Sequence, residues 1–375
     1  MNVLHISSGR GPTGAAAAAM NDVLALLAAG HKAWLAVRGN SALAQACGTT
    51  GVPFLDGLAA GQGALKILHL PRDVRWLRSV VREYAIDAVH THRSDDQILA
   101  TAALGRNLTA KLVRSWHRDP AAVPRPLLAR LAAHVDGCVC VAREDAATLR
   151  TAGAPQSVFL HAAVDTTLFR PLGQGPPPAP SHEGRGETCV RIAHVGRWKR
   201  DRQGRDRGQR QALDVFAQLP GALPWKGFLV GRGELADVLR RETYSARGLA
   251  EERVQLLEFA EQSPPRFAEL LATFHLGLVF EPGSDGTSRP GRELLACGVP
   301  LLVTDRRGLR ELAEDPACAV RLLPDDPQGW ARAIAGLLST PQRLAEMALA
   351  ARACAEREHA LPVRGRALAQ FYAAL

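Results

Sequence analysis

Short apolar runs alternate with longer stretches of helical periodicity along the first part of the chain. The apolar runs predict strands at 3–6, 33–37, 88–90, 111–115 and 137–141. The patterns between them predict an Ala-rich helix that ends near 27 and a helix over 74–84. Because parallel strands need crossover connections, this alternation predicts an α/β fold with helices on both faces of a parallel sheet.

The same alternation starts again after residue 187. Apolar runs at 190–195, 227–230, 254–257, 276–280 and 299–304 predict further strands, and a helix is predicted from about 208. The segment 341–375 is predicted to be helical throughout. We therefore expect two Rossmann-like halves that face a central cleft, with a ligand at the carboxyl ends of both sheets.

A stretch rich in Pro and Gly separates the two halves. Residues 171–186 include Pro176, Pro177, Pro178 and Pro180, which do not support a helix or a central strand. We predict a domain over 1–170, this linker, a second domain over 187–355 and a last helix over 356–375. The total length of 375 residues also suits two domains better than one.

The charge of the chain indicates which kinds of partner it could bind, and its cysteine content indicates the compartment in which it works. The formal net charge of +9, mostly from Arg, suits nucleotides, phosphorylated glycans or anionic lipid, although a general bias towards Gly, Ala and Arg would also produce it. Seven cysteines without a CxxC pair indicate buried free thiols in a reducing compartment, and Cys138 and Cys140 should share one strand face.

The ends and apolar runs of the chain indicate where the protein works. The first residues form a strand pattern and not a signal peptide, and no apolar run is long enough to span a bilayer. We expect a cytoplasmic protein, and the sequence leaves contact with the inner membrane face open.

The segment 280–300 carries the most specific chemistry. A strand leads into a Gly-containing loop, Ser288 is a good N-cap, and Pro290 stands in the first turn of the helix that follows. A helix N-terminus offers free N–H groups to an anion, and Glu293 one turn further can reach a hydroxyl of the same ligand. A diphosphate joined to a ribose fits this spacing, and a capped helix with a surface Glu is the alternative.

Basic residues follow the first strand of the second half. That strand ends at Gly196 and Arg197, and Arg207 stands ten residues later beside Gly208. Positive charge here would neutralise a diphosphate. The rest of this basic loop, at Lys199, Arg200, Arg202, Arg205 and Arg210, is mostly expected to be solvated, with contact to an anionic acceptor as the alternative.

Three loops after strands of the first half supply further candidates. The first resembles a phosphate-binding turn and contains Gly9, Gly11 and Gly14, with Ala15 next. His117 follows the fourth predicted strand, and a structural role is its alternative. Polar residues after the third strand could face an acceptor or be ordinary loop residues; they include His92, Arg93 and Asp95. His90 and His92 have no third metal ligand near them in the sequence, so we expect no metal site.

Taken together, these segments resemble retaining glycosyltransferases of family 4, which have the GT-B fold. Asp285 and Glu293 match the family's acidic pair, and 305–311 resembles its D-x-G-G-x-x-E segment. The resemblance implies that Glu293 holds the donor ribose and that Asp285 and His117 orient the donor sugar. It also implies that Arg197 and Arg207 bind the diphosphate, together with Gly14, Ala15, Gly196, Gly286, Thr287, Ser288 and Arg289.

The resemblance carries expectations about the reaction as well. It implies a nucleotide diphosphate-sugar donor in the second domain, an acceptor in the first, a last helix that crosses back, retention of configuration, and no metal or other cofactor. The segment 90–96 is similar to members that build bacterial envelope glycans such as lipopolysaccharide, so we expect a hexosyl- or heptosyltransferase with a glycan or lipid-linked acceptor.

The sequence departs from the family at several of these positions, and two other functions remain. Asp285 replaces Glu and Pro290 lacks an N–H, which leaves the sugar less defined than the nucleotide. Arg207 replaces Lys, and Arg can keep the phosphate contact. A nucleotide-sugar epimerase shares the fold class, and a non-catalytic protein could bind an anionic ligand with the basic loop. Nucleic acid is not expected, because aromatic residues are not interleaved with the basic ones.

Overall fold

The computed structural model describes residues 1–9, 11, 13–59, 66–105, 109–173, 189–200, 204–259 and 264–375, with backbone only at 66–68. The chain divides into two compact units. The first comprises Met1–Ala163, Ser284–Thr287 and Ala360–Leu375, and the second comprises Val164–Gly283 and Ser288–His359. Each unit contains its own parallel sheet, so the predicted α/β class with two Rossmann-like halves is confirmed.

The sheet of the first unit has seven strands within the described residues. They are β1 (Asn2–Ser7), β2 (Lys32–Arg38), β3 (Phe54–Leu58), β4 (Ala88–Thr91), β5 (Lys111–Trp116), β6 (Gly137–Cys140) and β7 (Ser157–Phe159). They are ordered β3-β2-β1-β4-β5-β6-β7, and every pairing is parallel. The order reverses between β1 and β4, which is the Rossmann arrangement.

Helices connect these strands. They are α1 (Gly14–Ala28), α2 (Ala42–Thr50), α3 (Lys66–Glu83), α4 (Ser94–Leu104), α5 (Arg125–Ala132) and α6 (Arg143–Thr151). Side-chain alternation along the strands divides the core into two layers: Leu112, Cys138 and Cys140 pack into one, and Val113 and Val139 into the other. The shared face predicted for Cys138 and Cys140 is therefore confirmed.

The second unit repeats this plan with six strands among its described residues. They are β8 (Val190–Val195), β9 (Trp225–Gly231), β10 (Val254–Glu258), β11 (Leu276–Val279), β12 (Leu301–Thr304) and β13 (Ala319–Leu322). Their order is β10-β9-β8-β11-β12-β13, again parallel, and it reverses between β8 and β11. The helices are α7 (Gln209–Gln218), α8 (Ala236–Arg240), α9 (Pro264–Leu271), α10 (Arg289–Ala296), α11 (Pro327–Leu338) and α12 (Pro341–Cys354).

The sequence predicted that the last segment, 341–375, is helical throughout, and this prediction is wrong. A π-helical turn, Ala355–His359, follows α12, and the helix is interrupted at Ala360, whose backbone is extended. Pro362 then stands in the first turn of α13 (Leu361–Ala373), where its missing N–H costs nothing. The last helix therefore begins at Leu361 and not at 356, and α13 belongs to the first unit.

Strands β3, β7 and β13 were not predicted. They are short, and residues such as Asp56 and Arg321 interrupt their apolar patterns. The domain boundaries at 170, 187 and 355 remain predictions, and most of the predicted linker, 174–186, lies outside the described residues.

Two expectations concern composition. All seven cysteines are described and are free thiols, and only Cys189 is not buried. None of the helices in the described part of the chain has both the length and the apolar character that a membrane span requires.

Candidate active site

In open parallel sheets, ligands bind beyond the carboxyl ends of the strands where the strand order reverses. In the first unit this point lies between β1 and β4, and His92 follows β4 while Gly14 opens the helix after β1. In the second unit it lies between β8 and β11, and Gly196 and Arg197 follow β8. Topology therefore places the sequence candidates at the positions where this fold class binds ligands.

The N-terminus of α10 is built as the sequence predicted. The Ser288 hydroxyl accepts a hydrogen bond from the Gly291 N–H at 3.1 Å, which caps the helix. Glu293 is buried one turn further, and the Arg289 Nε donates to its Oε1 at 2.7 Å. Arg289 is about half exposed, so this partner of the buried carboxylate extends to the surface. The alternative of a surface Glu is wrong, because Glu293 is only 3% exposed.

The loop Ser284–Thr287, which precedes this helix, forms a tight turn around Asp285. The Thr287 hydroxyl donates to Asp285 Oδ2 at 2.8 Å, and Asp285 is buried. Gly286 has a φ of +76°, a backbone conformation that residues other than glycine rarely adopt. A Cβ there would also lie 2.9 Å from Val141 Cγ2 and would collide with the His117 carbonyl oxygen.

Two residues of the first unit hold this loop. The Gly14 N–H donates to Ser284 Oγ at 2.9 Å, and a Cβ at Gly14 would lie 2.6 Å from the Asp285 nitrogen. His117 Nδ1 lies 3.1 Å from the Asp285 carbonyl oxygen. The structure thus brings together candidates from three segments that the sequence separates widely: Gly14, His117, and the adjacent pair Asp285 and Gly286. Ala15, half-buried in the first turn of α1, follows directly.

The arginines of the basic loop in the second unit differ in their contacts and in their exposure. Arg210 is held by Glu242 through its Nε and Nη2, and by Asp206. Arg207 is half-buried, and its Nη1 donates to the Pro282 carbonyl oxygen at 2.9 Å. Arg197 is exposed after β8. Arg202 lies outside the described residues.

Close packing explains the glycines of this loop. Gly208 has a φ of +98°, and a Cβ there would lie 2.6 Å from Phe280 Cβ, so this turn requires glycine. A Cβ at Gly196 would approach Gln209 Nε2 to 3.3 Å. Gly208 also precedes the first turn of α7, so the N-terminus of that helix adjoins Arg207. Arg207 and the helix end together provide positive potential.

The acceptor-side candidates do not share one environment. Arg93 and Asp95 are partly exposed and form an ion pair at 3.3 Å at the start of α4. His92 is 4% exposed, and both of its ring nitrogens are hydrogen-bonded, to His5 at 3.0 Å and to His117 at 3.1 Å. His92 therefore lies inside the unit, contrary to the expectation that it faces an acceptor.

Sequence reasoning missed a buried polar cluster on the α1 side of the first sheet. His5 lies beside His90 in the β1–β4 register, Asp22 of α1 is paired with Arg364 of α13, and Tyr372 contacts His90 Nδ1 at 2.6 Å. Polar residues at core positions of a strand and of an Ala-rich helix are the signal that could have revealed it.

His90 and His92 have no third potential metal ligand near them in the sequence, but the fold brings two others close to them. Ligand atoms of His5, Asp22, His90 and His92 all lie within 4.8 Å of one another. The Asp22 carboxylate is already paired with Arg364, at 2.9 and 3.1 Å, and His90 is bonded to Tyr372 and to Ser115. Neutral imidazoles are favoured here, because burial lowers the pKa of His5 to about 4 and those of His90 and His92 well below the usual range.

Comparisons with known proteins agree with the fold and with these motifs. A family model described as Glycosyltransferase Family 4 matches residues 12–168, and one described as Glycosyl transferases group 1 matches residues 190–340. The protein is thus a GT-B glycosyltransferase. The two matches together span most of the chain, and the first of them confirms the resemblance to glycosyltransferase family 4 that the sequence motifs had indicated.

Solved structures share the whole fold at low sequence identity. Anabaena HepE, determined in complex with UDP, is 18% identical over all of both chains, with a TM-score of 0.75. The lipopolysaccharide outer core galactosyltransferase WaaB is 13% identical over all of both chains, with a TM-score of 0.70. A putative UDP-N-acetylglucosamine 2-epimerase from Listeria monocytogenes is 18% identical over 100% of this chain and 96% of its own, with a TM-score of 0.65. A search of curated protein sequences finds no match.

Proposed function

We propose that this glycosyltransferase moves a sugar from a UDP-sugar to a glycan or lipid-linked acceptor in bacterial envelope synthesis, with retention and without a bound metal. The observation that carries the proposal is the capped N-terminus of α10 with the buried Glu293 one turn further. HepE, which shares the fold, was determined with UDP, and this supports uracil as the base of the donor.

Each part of the donor would meet a matching group. Glu293 would accept hydrogen bonds from the ribose hydroxyls, and the half-exposed Arg289, which donates to its Oε1, would move aside. Arg197, Arg207 and the N–H groups at the start of α10 would bind the diphosphate. Asp285 would lie at the sugar, and Gly196, Gly286, Thr287 and Ser288 would let the backbone approach the phosphates.

The chemistry follows from this placement of charge. The acceptor hydroxyl oxygen bonds to the anomeric carbon as the bond from that carbon to the phosphate oxygen breaks, and the acceptor proton passes to a donor phosphate oxygen. The nucleoside diphosphate leaves with its electron pair, and arginines and helix N–H groups stabilise the charge that develops on it. Attack on the same face as the leaving group gives retention.

A lipid-linked or phosphorylated acceptor suits the basic charge of the chain, formally +9. Arg93 and Asp95 are the partly exposed residues that we propose for its recognition. WaaB, which acts in the lipopolysaccharide outer core, has the same fold, and this supports an envelope glycan. A lipid-linked acceptor would bring the enzyme to the inner membrane face.

The Glu293→Gln variant tests the donor site. The substitution keeps the shape of the side chain and removes the charge that strengthens hydrogen bonds to the ribose, so we expect UDP-sugar affinity to fall about 10- to 100-fold. Calorimetric titration with UDP-glucose, UDP-galactose and UDP-N-acetylglucosamine measures the change.

Glu346→Gln is the matched control, because Glu346 is exposed on α12. It should bind each donor as the wild type does. Equal affinities of the Glu293→Gln variant and the wild type would contradict the ribose role.

The putative epimerase from Listeria monocytogenes has the same fold, and this supports a nucleotide-sugar epimerase as the alternative function. The two reactions differ in their products. Incubation with a UDP-sugar and an acceptor should yield UDP and a glycosylated acceptor, detected by mass spectrometry. Conversion of the sugar without an acceptor would support the epimerase instead.

A further inference from the structure

Three histidines form one continuous hydrogen-bonded chain through the first unit. His5 Nδ1 lies 3.0 Å from His92 Nε2, and His92 Nδ1 lies 3.1 Å from His117 Nε2. His117 Nδ1 lies 3.1 Å from the carbonyl oxygen of Asp285. The chain begins at β1 in the core and ends at the loop Ser284–Thr287, and all three side chains are at least 91% buried.

The chemistry of the last contact determines every proton in the chain. A carbonyl oxygen can only accept, so His117 Nδ1 must carry a proton and donate it. A neutral His117 then has a bare Nε2, which must accept from Nδ1–H of His92. By the same rule His92 Nε2 accepts from Nδ1–H of His5, and His5 Nε2 is left as a bare lone pair.

Two observations agree with this assignment. Burial lowers the pKa values of His5, His92 and His117, so all three are neutral near pH 7. His5 Nε2 has no hydrogen-bond partner among the described residues, and a bare lone pair is the form that needs no acceptor. An N–H at this buried position would lose a hydrogen bond.

The chain changes the role expected for His117. The family resemblance implies that this side chain bonds the donor sugar, yet both of its ring nitrogens are engaged, one by His92 and one by the Asp285 carbonyl. Its own carbonyl oxygen packs against Gly286, where a Cβ would not fit. His117 therefore holds the loop that carries Asp285, from both its ring and its backbone.

We propose that His92 and His5 are positioning residues, which lock His117 in the Nδ1–H form so that it fixes the loop Ser284–Thr287 for the donor sugar. The inference rests on the proposed donor site, because it assigns Asp285 to the sugar of the nucleotide donor. It predicts that the chain affects binding of the sugar part of the donor more than binding of UDP, because the loop carries Asp285 to the sugar and only part of the contact to the phosphates.

Paired substitutions of His92 separate the two ends of its ring. An Asn side chain places its amide near the position of Nδ1 and can still donate to His117, whereas a Gln side chain reaches the position of Nε2 and loses that contact. We expect His92→Gln to weaken UDP-sugar binding about 5- to 10-fold, the equivalent of one hydrogen bond, with a clearly smaller loss for UDP. His92→Asn should retain most of the affinity for the UDP-sugar.

Calorimetric titration of both variants with UDP and with the UDP-sugar gives these affinities, and a thermal melt of each variant reports on folding. Equal losses in the Asn and Gln variants, or parallel losses for UDP and UDP-sugar, would overturn the positioning role. The first pattern would mean that the contact to His117 does not matter, and the second that His92 only supports the fold.

Nitrogen-15 NMR of histidine-labelled wild-type protein tests the chain without any variant. Three neutral rings with the proton on Nδ1 are the expected result, and a proton on Nε2 of His92 or His117 would overturn the chain. A stoichiometric metal found by elemental analysis, lost in the His5→Ala variant, would overturn it as well. If the wild type binds no nucleotide sugar, the proposed function fails, and with it the positioning role, while the NMR result still decides the proton positions.

Discussion

At the scale of single residues, glycine positions shape the candidate loops within each unit. Gly14, Gly208 and Gly286 each stand where a Cβ would lie within 3 Å of another group. Gly208 and Gly286 also have positive φ angles. Ala15, the next residue of α1, is half-buried. Close packing alone therefore requires glycine at position 14. At Gly208 and Gly286, glycine is required both by close packing and by the positive φ angle.

Replacement of Gly14 by alanine should disrupt the loop Ser284–Thr287. The new Cβ would lie 2.6 Å from the Asp285 nitrogen and would force the loop away from α1. We expect transferase activity to fall at least about 10-fold, since small displacements of positioning groups are costly to catalysis. Initial rates with a UDP-sugar and an acceptor measure the effect.

Gly48→Ala, on α2, is the control for this substitution. Nothing lies within 4 Å of a Cβ at Gly48, so its rate should stay close to that of the wild type. Similar rates for the Gly14→Ala variant and the wild type would show that the loop adapts without cost.

At the scale of elements, α13 completes the first unit. It packs on α1, where Gly365 lies so close to the Ala25 carbonyl that a Cβ would collide with it. From this position Arg364 pairs with Asp22 at 2.9 and 3.1 Å and also donates to the Leu160 carbonyl oxygen. Tyr372 of the same helix contacts His90. The last helix is thus part of the core and supports the strands that carry the histidines.

Loss of the Arg364 side chain should destabilise the first unit strongly. Arg364→Ala leaves the Asp22 carboxylate, which is 3% exposed, without its ion-pair partner. Breaking a buried pair on one side costs about 3–5 kcal/mol, so we expect a drop of that size in the free energy of unfolding. Urea denaturation followed by circular dichroism measures it.

The exposed Arg366 on the same helix provides the comparison. Arg366→Ala should change stability by no more than about 0.5 kcal/mol. If both variants unfold at the same urea concentration, α13 is not held by its buried ion pair.

At the scale of the whole molecule, buried neutral histidines link stability to pH. Burial lowers the pKa values of His5, His90, His92 and His117 in the first unit and of His194 in the second. The unfolded chain takes up protons below about pH 6.5, which the folded protein excludes until lower pH. Stability contributed by these groups is therefore complete above pH 6.5 and is lost as the pH falls. Asp96 acts in the opposite sense, because burial raises its pKa to about 6.

The free energy of unfolding should thus be lower at pH 5 than at pH 7. His5 alone, with its pKa lowered from 6.5 to about 4, should account for roughly 2 kcal/mol of the difference. Urea midpoints at the two pH values measure the total. His5→Asn keeps a donor near the position of Nδ1 and does not titrate, so the difference should shrink in this variant. An unchanged midpoint between pH 7 and pH 5 would contradict the argument.

Local patterns in the sequence by themselves determined most of the elements and the separate motifs. Ten of the strands, the Ser288 cap and the position of Glu293 one turn further depend on neighbours within a few residues, and such preferences can be read along the chain. Strands β3, β7 and β13 were missed because short, interrupted runs carry little periodic signal.

Only the tertiary structure decided which motifs meet. Gly14 contacts Ser284 across 270 positions, and Arg364 contacts Asp22 across 342. The order of strands in the first sheet brings His5 beside His90 and leads the histidine chain to Asp285, which also explains why His92 lies inside the unit. These contacts follow from strand order and helix packing, and no local preference along a single chain encodes them.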